Sequence, residues 1–165
     1  MSTESTEYTT SAGDIADAIV SHLASGKRIE TTKLHILLYL VQGWHLVSFD
    51  EPAFTDLIEA RMFGPFVPAV AQYHGPTTLV GEYNNFGGRG LAGLNATRCT
   101  TVEYVLANYN SVDTHALQRY IRALGSPWDI TYGEHGDYAT IEQSLIADCF
   151  AAERTHVLTG GKFIL

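Results

Sequence analysis

The most informative part of this sequence is TTKLHILLYLVQGWHLV, residues 31–47. It opens on threonines, which favour helix N-caps, and no proline follows. The helix is too short and too interrupted by polar residues to span a bilayer. A helix that is apolar nearly all round belongs inside a core, so the pattern predicts a buried central helix at about 32–47. The apolar residues fall on two stripes at helical spacing, Leu34, Leu37, Leu38, Val41 and Trp44 on one side and Ile36, Leu40 and Val47 on the other.

The composition indicates one globular domain with an acidic surface. The 165 residues are 45% hydrophobic and 17% charged, and the formal net charge is −8. Binding to phosphates requires clustered lysine and arginine, so the charge argues against a nucleic-acid partner and an anionic membrane. It favours a basic protein partner, unless the acidic surface only keeps the protein in solution.

The sequence offers no pattern for a catalytic, cofactor or metal site. Cys99 and Cys149 have no partner at short spacing, and His35 and His45 would lie about 15 Å apart along one helix, too far to share an ion. The glycine-rich run at 87–90 lacks the lysine and serine or threonine of a phosphate-binding loop. We therefore predict that the protein is not an enzyme and binds no cofactor or metal. The N-terminus lacks the basic and apolar regions of a signal peptide, which predicts a cytoplasmic location.

The sequence predicts a mainly helical chain with one long irregular region. Residues 1–13, rich in serine and threonine, are predicted to form a disordered tail. Glycine and asparagine dominate residues 75–98, a long insertion of the kind that is functional or mobile. The predicted fold is a compact, mainly α bundle around the central helix. Further helices are expected at 14–25, 101–110, 113–124, from Ser126-Pro127 onward and at 141–152, with short strands at about 57–63 and 162–165.

Four blocks of sequence occur in a fixed order: Lys33 to Trp44, Glu59 to Pro68, Ser126 to Trp128 and Ile141 to Phe150. Together they resemble the Panacea domain, a family of SocA-like, phage-associated antitoxins. The likeness covers roughly residues 14–153, except the variable middle at 75–100. Arg61 stands where the family commonly has an aromatic residue. The resemblance divides the chain into a single domain at 14–155 and a C-terminal extension at 156–165. The residues that carry it include Lys33, Leu34, Leu37, Leu38, Tyr39, Gln42, Gly43 and Trp44, then Glu59, Gly64, Pro65 and Pro68, then Ser126, Pro127 and Trp128, and finally Ile141, Ile146 and Phe150.

The resemblance implies an antitoxin that neutralises a cognate protein toxin by direct binding. Some relatives act as proteolytic adaptors that deliver the toxin to a protease, which is the first alternative. A small enzyme with an unrecognised site is the second, and the missing basic recognition helix disfavours a DNA-binding domain. Most of the family residues are expected to serve the fold, because buried aromatic and apolar side chains usually do.

Partner specificity is expected from exposed residues outside those blocks. The loop at 81–94 and the outer face of the short helix at 67–74 are the two candidate surfaces, because aromatic and arginine side chains on loops often anchor interfaces. The competing interpretation is a loop without a role. The candidate toxin-binding residues are Tyr83, Phe86, Arg89 and Leu91 on the loop and Gln72 and Tyr73 on the helix.

Overall fold

A computed structural model of the protein describes residues 8–158. Within them the chain is mainly helical with a few short strands, as predicted. A 3-10 turn at Gly90–Gly93 adds to the helices. The helices are α1 (Ala12–Ser21), α2 (Thr31–Phe49), α3 (Pro68–His74), α4 (Ala96–Tyr109), α5 (Thr114–Ile121), α6 (Pro127–His135) and α7 (Gln143–Leu158); the strands are β1 (Arg28–Glu30), β2 (Glu59–Arg61), β3 (Gly64–Phe66), β4 (Leu79–Gly81) and β5 (Ala139–Thr140).

The strands form two small antiparallel sheets that join distant parts of the chain. β1 pairs with β4, and Ile29 lies opposite Val80. The second sheet has the order β3-β2-β5, with Ala60 of β2 between Pro65 and Ala139. Both Ile29 and Ala60 are buried. The sheets therefore fasten the connections between helices onto the core.

Helix α2 is buried along its middle thirteen residues, 33–45. It contacts α1, α4, α5, α7 and β3. Glu30, not a threonine, occupies its N-cap position, and no side chain caps it. The helix ends where Asp50 takes the left-handed conformation, with φ of 54°. Burial on all sides follows from the apolar residues around its whole circumference.

The predicted disordered tail is wrong for residues 8–13. Helix α1 starts at Ala12, because the Ser11 side chain accepts from the Asp14 backbone N–H while the Asp14 side chain accepts from the Ser11 N–H. Thr10 is buried and donates through its hydroxyl to the Gly93 carbonyl at 2.9 Å. Residues 1–7 and the strand predicted at 162–165 lie outside the described residues.

Other predicted boundaries move by several residues. Helix α1 ends at Ser21 rather than residue 25, and α5 ends at Ile121 rather than 124. The strand predicted at 57–63 is only Glu59–Arg61, because Met62 and Phe63 form the turn to β3. The insertion at 75–98 is not wholly irregular, since it contains β4, the 3-10 turn and the start of α4.

Within residues 8–158, no helix combines the length and the hydrophobicity that crossing a bilayer requires.

Candidate interaction surface

The residues of α2 that carry the resemblance to the Panacea domain make contacts that hold neighbouring segments in place. Gln42 is buried, and its amide donates to the Phe54 carbonyl while its oxygen accepts from the Ala53 N–H, both at 2.8 Å. The Lys33 ammonium donates to the carbonyls of Asn110 and Val112. Burial lowers the pKa of Lys33, although the charges of acidic neighbours oppose the shift. Each side chain satisfies backbone groups of a loop that has no regular structure.

The aromatic residues of the same stretch pack on α4 and α7. Trp44 donates through Nε1 to the Tyr109 hydroxyl at 2.9 Å, and its ring meets Phe150 edge-on. Tyr39 also meets Phe150 edge-on. A Cβ atom on Gly43 would lie 2.3 Å from the Phe150 ring, so the glycine allows α7 to approach. Helix α7 is therefore the element that comes close to α2 at Gly43.

The other residues that carry the resemblance lie on or near strand β2, in β3 and at the starts of α3 and α6. Trp128 donates to the Arg61 carbonyl at 2.7 Å, and the Glu59 carboxylate accepts from Arg61 Nε at 2.7 Å. The Arg61 guanidinium lies 3.7 Å from the Tyr138 ring centre. An ion pair within β2 thus accounts for Glu59. Of the others, Gly64 and Pro65 lie in β3, Pro68 is at the first turn of α3, Ser126 caps α6, and Pro127 begins it.

The glycine-rich loop at 81–94 is fastened to α1 by two carboxylates. Asp17 accepts from the backbone N–H groups of Phe86 and Gly88 at 2.7 and 2.8 Å. Asp14 is fully buried and accepts from the Arg89 N–H at 2.6 Å and from the Tyr8 hydroxyl. Burial acts to raise the pKa of Asp14, but these hydrogen bonds outweigh burial and the pKa is lowered. Asp14 is therefore a charged residue that holds the loop.

Two glycines of the loop are required by this close packing. A Cβ atom on Gly88 would lie 2.3 Å from the Asp14 backbone nitrogen, and one on Gly93 would lie 2.6 Å from Asp14 Oδ1. Only a residue without a side chain lets the loop backbone reach the helix at these points. Gly88, a member of the glycine-rich run at 87–90, thus serves packing on α1.

Five of the six predicted candidate residues are exposed, three on the loop and two on α3, and one is buried. Tyr83 is 93% exposed, and Leu91 and Tyr73 are 51% and 52% exposed. Arg89 and Gln72 are also exposed. We call the exposed set, Gln72, Tyr73, Tyr83, Arg89 and Leu91, the loop face.

The prediction of an exposed Phe86 is wrong. Its side chain is 1% exposed and belongs to the core. The Asp17 carboxylate accepts from the Phe86 N–H, which fixes this part of the loop on α1. Next to it, the Arg89 guanidinium lies 3.3 Å from the Tyr8 ring centre.

A pair of histidines joins α2, β3 and α3. His35 accepts from the Val67 N–H through Nδ1 at 3.0 Å, so its proton is on Nε2, which lies 2.9 Å from Nε2 of His74. Nδ1 of His74 in turn lies 2.8 Å from the Gly75 carbonyl, which accepts its proton. Burial, together with the charges of His74 and Arg61, lowers the pKa of His35 to about 3. A neutral imidazole is therefore part of the fold at this site.

An apolar groove lies between the α5–α6 connection and α7, and we call it the α7 groove. Its volume is about 250 Å³, and Tyr39, Tyr120, Leu124, Pro127, Cys149 and Glu153 are among its lining residues. Burial, and then the charge of Glu153, raises the pKa of the Tyr120 hydroxyl. Within residues 8–158, Oε1 of Glu153 is buried without a hydrogen-bond partner.

Among the described residues, no three histidine, cysteine, aspartate or glutamate side chains are grouped as metal ligands. His35 and His45 have separate partners, and His45 binds the Thr101 hydroxyl at 2.8 Å.

Sequence reasoning missed the anchoring aspartates and the α7 groove. The spacing of Ser11 and Asp14, a capping box, was an available signal for the first. The groove had none, because its walls come from four helices, α2, α5, α6 and α7, whose lining residues extend from Tyr39 to Glu153.

No protein-family model, curated protein or solved structure matches this chain. The resemblance to the Panacea domain therefore stays a prediction.

Proposed function

We propose that this protein is an antitoxin that neutralises a cognate protein toxin by direct binding through the loop face. The observation that carries the proposal is a loop whose backbone is fixed while its large side chains face outward. Tyr83 is 93% exposed, although the N–H groups of Phe86, Gly88 and Arg89 are held by Asp17 and Asp14. Aromatic and arginine side chains contribute most to binding energy at interfaces.

The fixed backbone favours a binding role over a loop without a role. Ordering a mobile loop on association costs free energy, and this loop is ordered before the partner arrives. Tyr83 and Leu91 are also apolar surface that the fold leaves in water. An exposed set of this type on a rigid support is suited to a protein partner.

We also propose that the residues form a compact bundle organised around α2. The proposed protein acts in the cytoplasm and has no catalytic activity of its own. The net charge of −8 supports a basic toxin, because opposite charge speeds association and suppresses wrong partners. The same charge supports the absence of a nucleic-acid partner.

The test is growth rescue in cells that express the toxin encoded beside this chain. Tyr83→Ala and Leu91→Asp should each reduce rescue, because both remove exposed contacts while leaving the core intact. Leu57→Asp is the matched control, since Leu57 is also exposed, at 62%, but belongs to the segment before β2 and not to the loop face. Full rescue by both loop variants, with unchanged circular dichroism, would contradict binding through this surface.

The adaptor alternative is tested in the same cells by following the amount of toxin. Direct neutralisation leaves the toxin intact and bound. If rescue instead requires a protease and the toxin disappears, the chain is a proteolytic adaptor.

A further inference from the structure

We propose that the α7 groove seats an apolar side chain of the toxin that is flanked in the toxin by a lysine or arginine. This inference rests on the proposed function, because it names the toxin as the occupant. It adds a second contact region, formed by α2, α5, α6 and α7, to the loop face.

The size of the groove suits a side chain. Cofactor-sized ligands occupy pockets of roughly 300–1,000 Å³, whereas an engineered cavity of about 150 Å³ holds a benzene molecule. At about 250 Å³ the α7 groove lies between the two. A leucine, methionine or phenylalanine side chain from a protein surface is an occupant of matching size.

The groove is lined mostly by apolar side chains, and one of these side chains is exposed to solvent. Leu124, on the connection before α6, is 96% exposed, although it borders the groove. Tyr39, Pro127 and Phe150 supply further apolar lining, and Trp44 and Tyr39 hold the Phe150 ring in place. An inserted apolar side chain would bury Leu124 together with itself, which is favourable for both.

The carboxylate of Glu153 indicates which residue of the toxin should flank the inserted side chain. The Glu153 Oε1 atom is buried without a hydrogen-bond partner among residues 8–158, although the Tyr120 hydroxyl interacts with the same carboxylate. A carboxylate with one oxygen left unsatisfied costs free energy. Glu153 is partly exposed as a residue and lines the groove, so an inserted segment meets its carboxylate there. A lysine or arginine beside the inserted side chain supplies the missing donor and the opposite charge.

The stretch of sequence that supplies the α6 and α7 walls of the groove is acidic, which agrees with a preference for a cation. From Asp129 to Glu153 the sequence has six acidic residues and neither lysine nor arginine. The arginines on either side point to other groups: Arg122 lies over the Trp128 ring, and Arg154 donates to the Val47 carbonyl at 3.0 Å. Neither is hydrogen-bonded to Glu153 Oε1. A basic segment is therefore the complement of this face.

The experiment measures binding of the purified toxin to the full chain by calorimetry. We expect Leu124→Asp to weaken binding about thirtyfold or more, the effect of losing an interface anchor. Glu153→Gln should weaken it about tenfold and reduce its salt dependence. Leu57→Asp, an exposed leucine outside the groove, should bind as the wild type does.

The thiol of Cys149 gives a second measurement inside the groove. Bound toxin should slow alkylation of Cys149, while Cys99 on α4 reports any general change in reactivity. If the wild type fails to bind the toxin, the proposed function is wrong. If the wild type binds, but Leu124→Asp binds equally well and Cys149 reacts unchanged, only the groove inference is wrong.

Two other occupants are distinguished without toxin. Protection of Cys149 that rises with protein concentration would assign the groove to a second copy of the chain. Protection that disappears when the chain is shortened after Leu158 would assign it to the chain's own terminus. Either result would overturn the inference.

Discussion

At the scale of single residues, the structure separates side chains that hold the fold from those that face outward. Gln42, Lys33 and Trp128 satisfy backbone carbonyls, whereas Tyr83 extends into solvent. The helical spacing of α2 predicted its burial, because periodicity reports directly on which residues are inside. Phe86 was predicted wrongly because the outcome depends on Asp17, which is far away in sequence. Local composition contains no information on such a contact.

Gly43 offers a test of close packing between α2 and α7. We expect Gly43→Ala to destabilise the protein by about 1–3 kcal/mol, because the new methyl group would lie 2.3 Å from the Phe150 ring. Gly133 in α6 is the matched control, since a Cβ there meets no atom within 4 Å. Gly133→Ala should stabilise by up to about 1 kcal/mol through helix propensity. Urea denaturation measures both, and equal shifts in the two variants would contradict the packing.

His35 predicts a loss of stability in mild acid. Its pKa is about 3 in the folded protein and close to 6.5 in the unfolded chain, so folding favours the neutral ring. The contribution is complete above pH 6.5 and declines as the pH falls toward 3. Between pH 7 and pH 5 the free energy of unfolding should fall by about 2 kcal/mol from this residue.

Denaturation at the two pH values tests this prediction with two variants. His35→Gln is expected to be less stable at pH 7 but to lose most of the pH dependence. His115→Gln, which changes an exposed histidine, should keep it. An unchanged pH dependence in His35→Gln would show that other groups cause it.

At the scale of elements, the positions of the helices were more predictable than the residues at which they begin and end. The Ser126-Pro127 start of α6 was read from the sequence, because serine at the N-cap and proline at the first turn act locally. The strands β1 and β4 were not, since three residues each give no period, and only their pairing stabilises them. The loop face was located by composition, but its rigidity comes from Asp14 and Asp17 on α1.

Hydrogen exchange tests whether the loop at 81–94 is held as described. The N–H groups of Phe86, Gly88 and Arg89 should exchange slowly, because carboxylates of α1 accept from them. Asp17→Asn should speed exchange at Phe86 and Gly88 by about tenfold, consistent with a weaker neutral acceptor, and leave α2 unchanged. Wild-type loop amides that exchange as fast as an unfolded chain would contradict the anchoring.

At the scale of the whole molecule, the protein is acidic and mainly helical, and it has two outward-facing regions. The loop face and the α7 groove are separate in sequence, and each offers apolar contacts to a protein. Their combination fits a partner that is bound over an extended surface, as a neutralised toxin would be.

The most direct test of direct neutralisation is inhibition in a purified system. The full chain is titrated against the toxin encoded beside it, with no protease present, while the activity of the toxin is measured. We expect activity to reach zero near one equivalent, and Tyr83→Ala to require a clear excess. Toxin that stays fully active in a large excess of the folded wild-type chain would contradict the account.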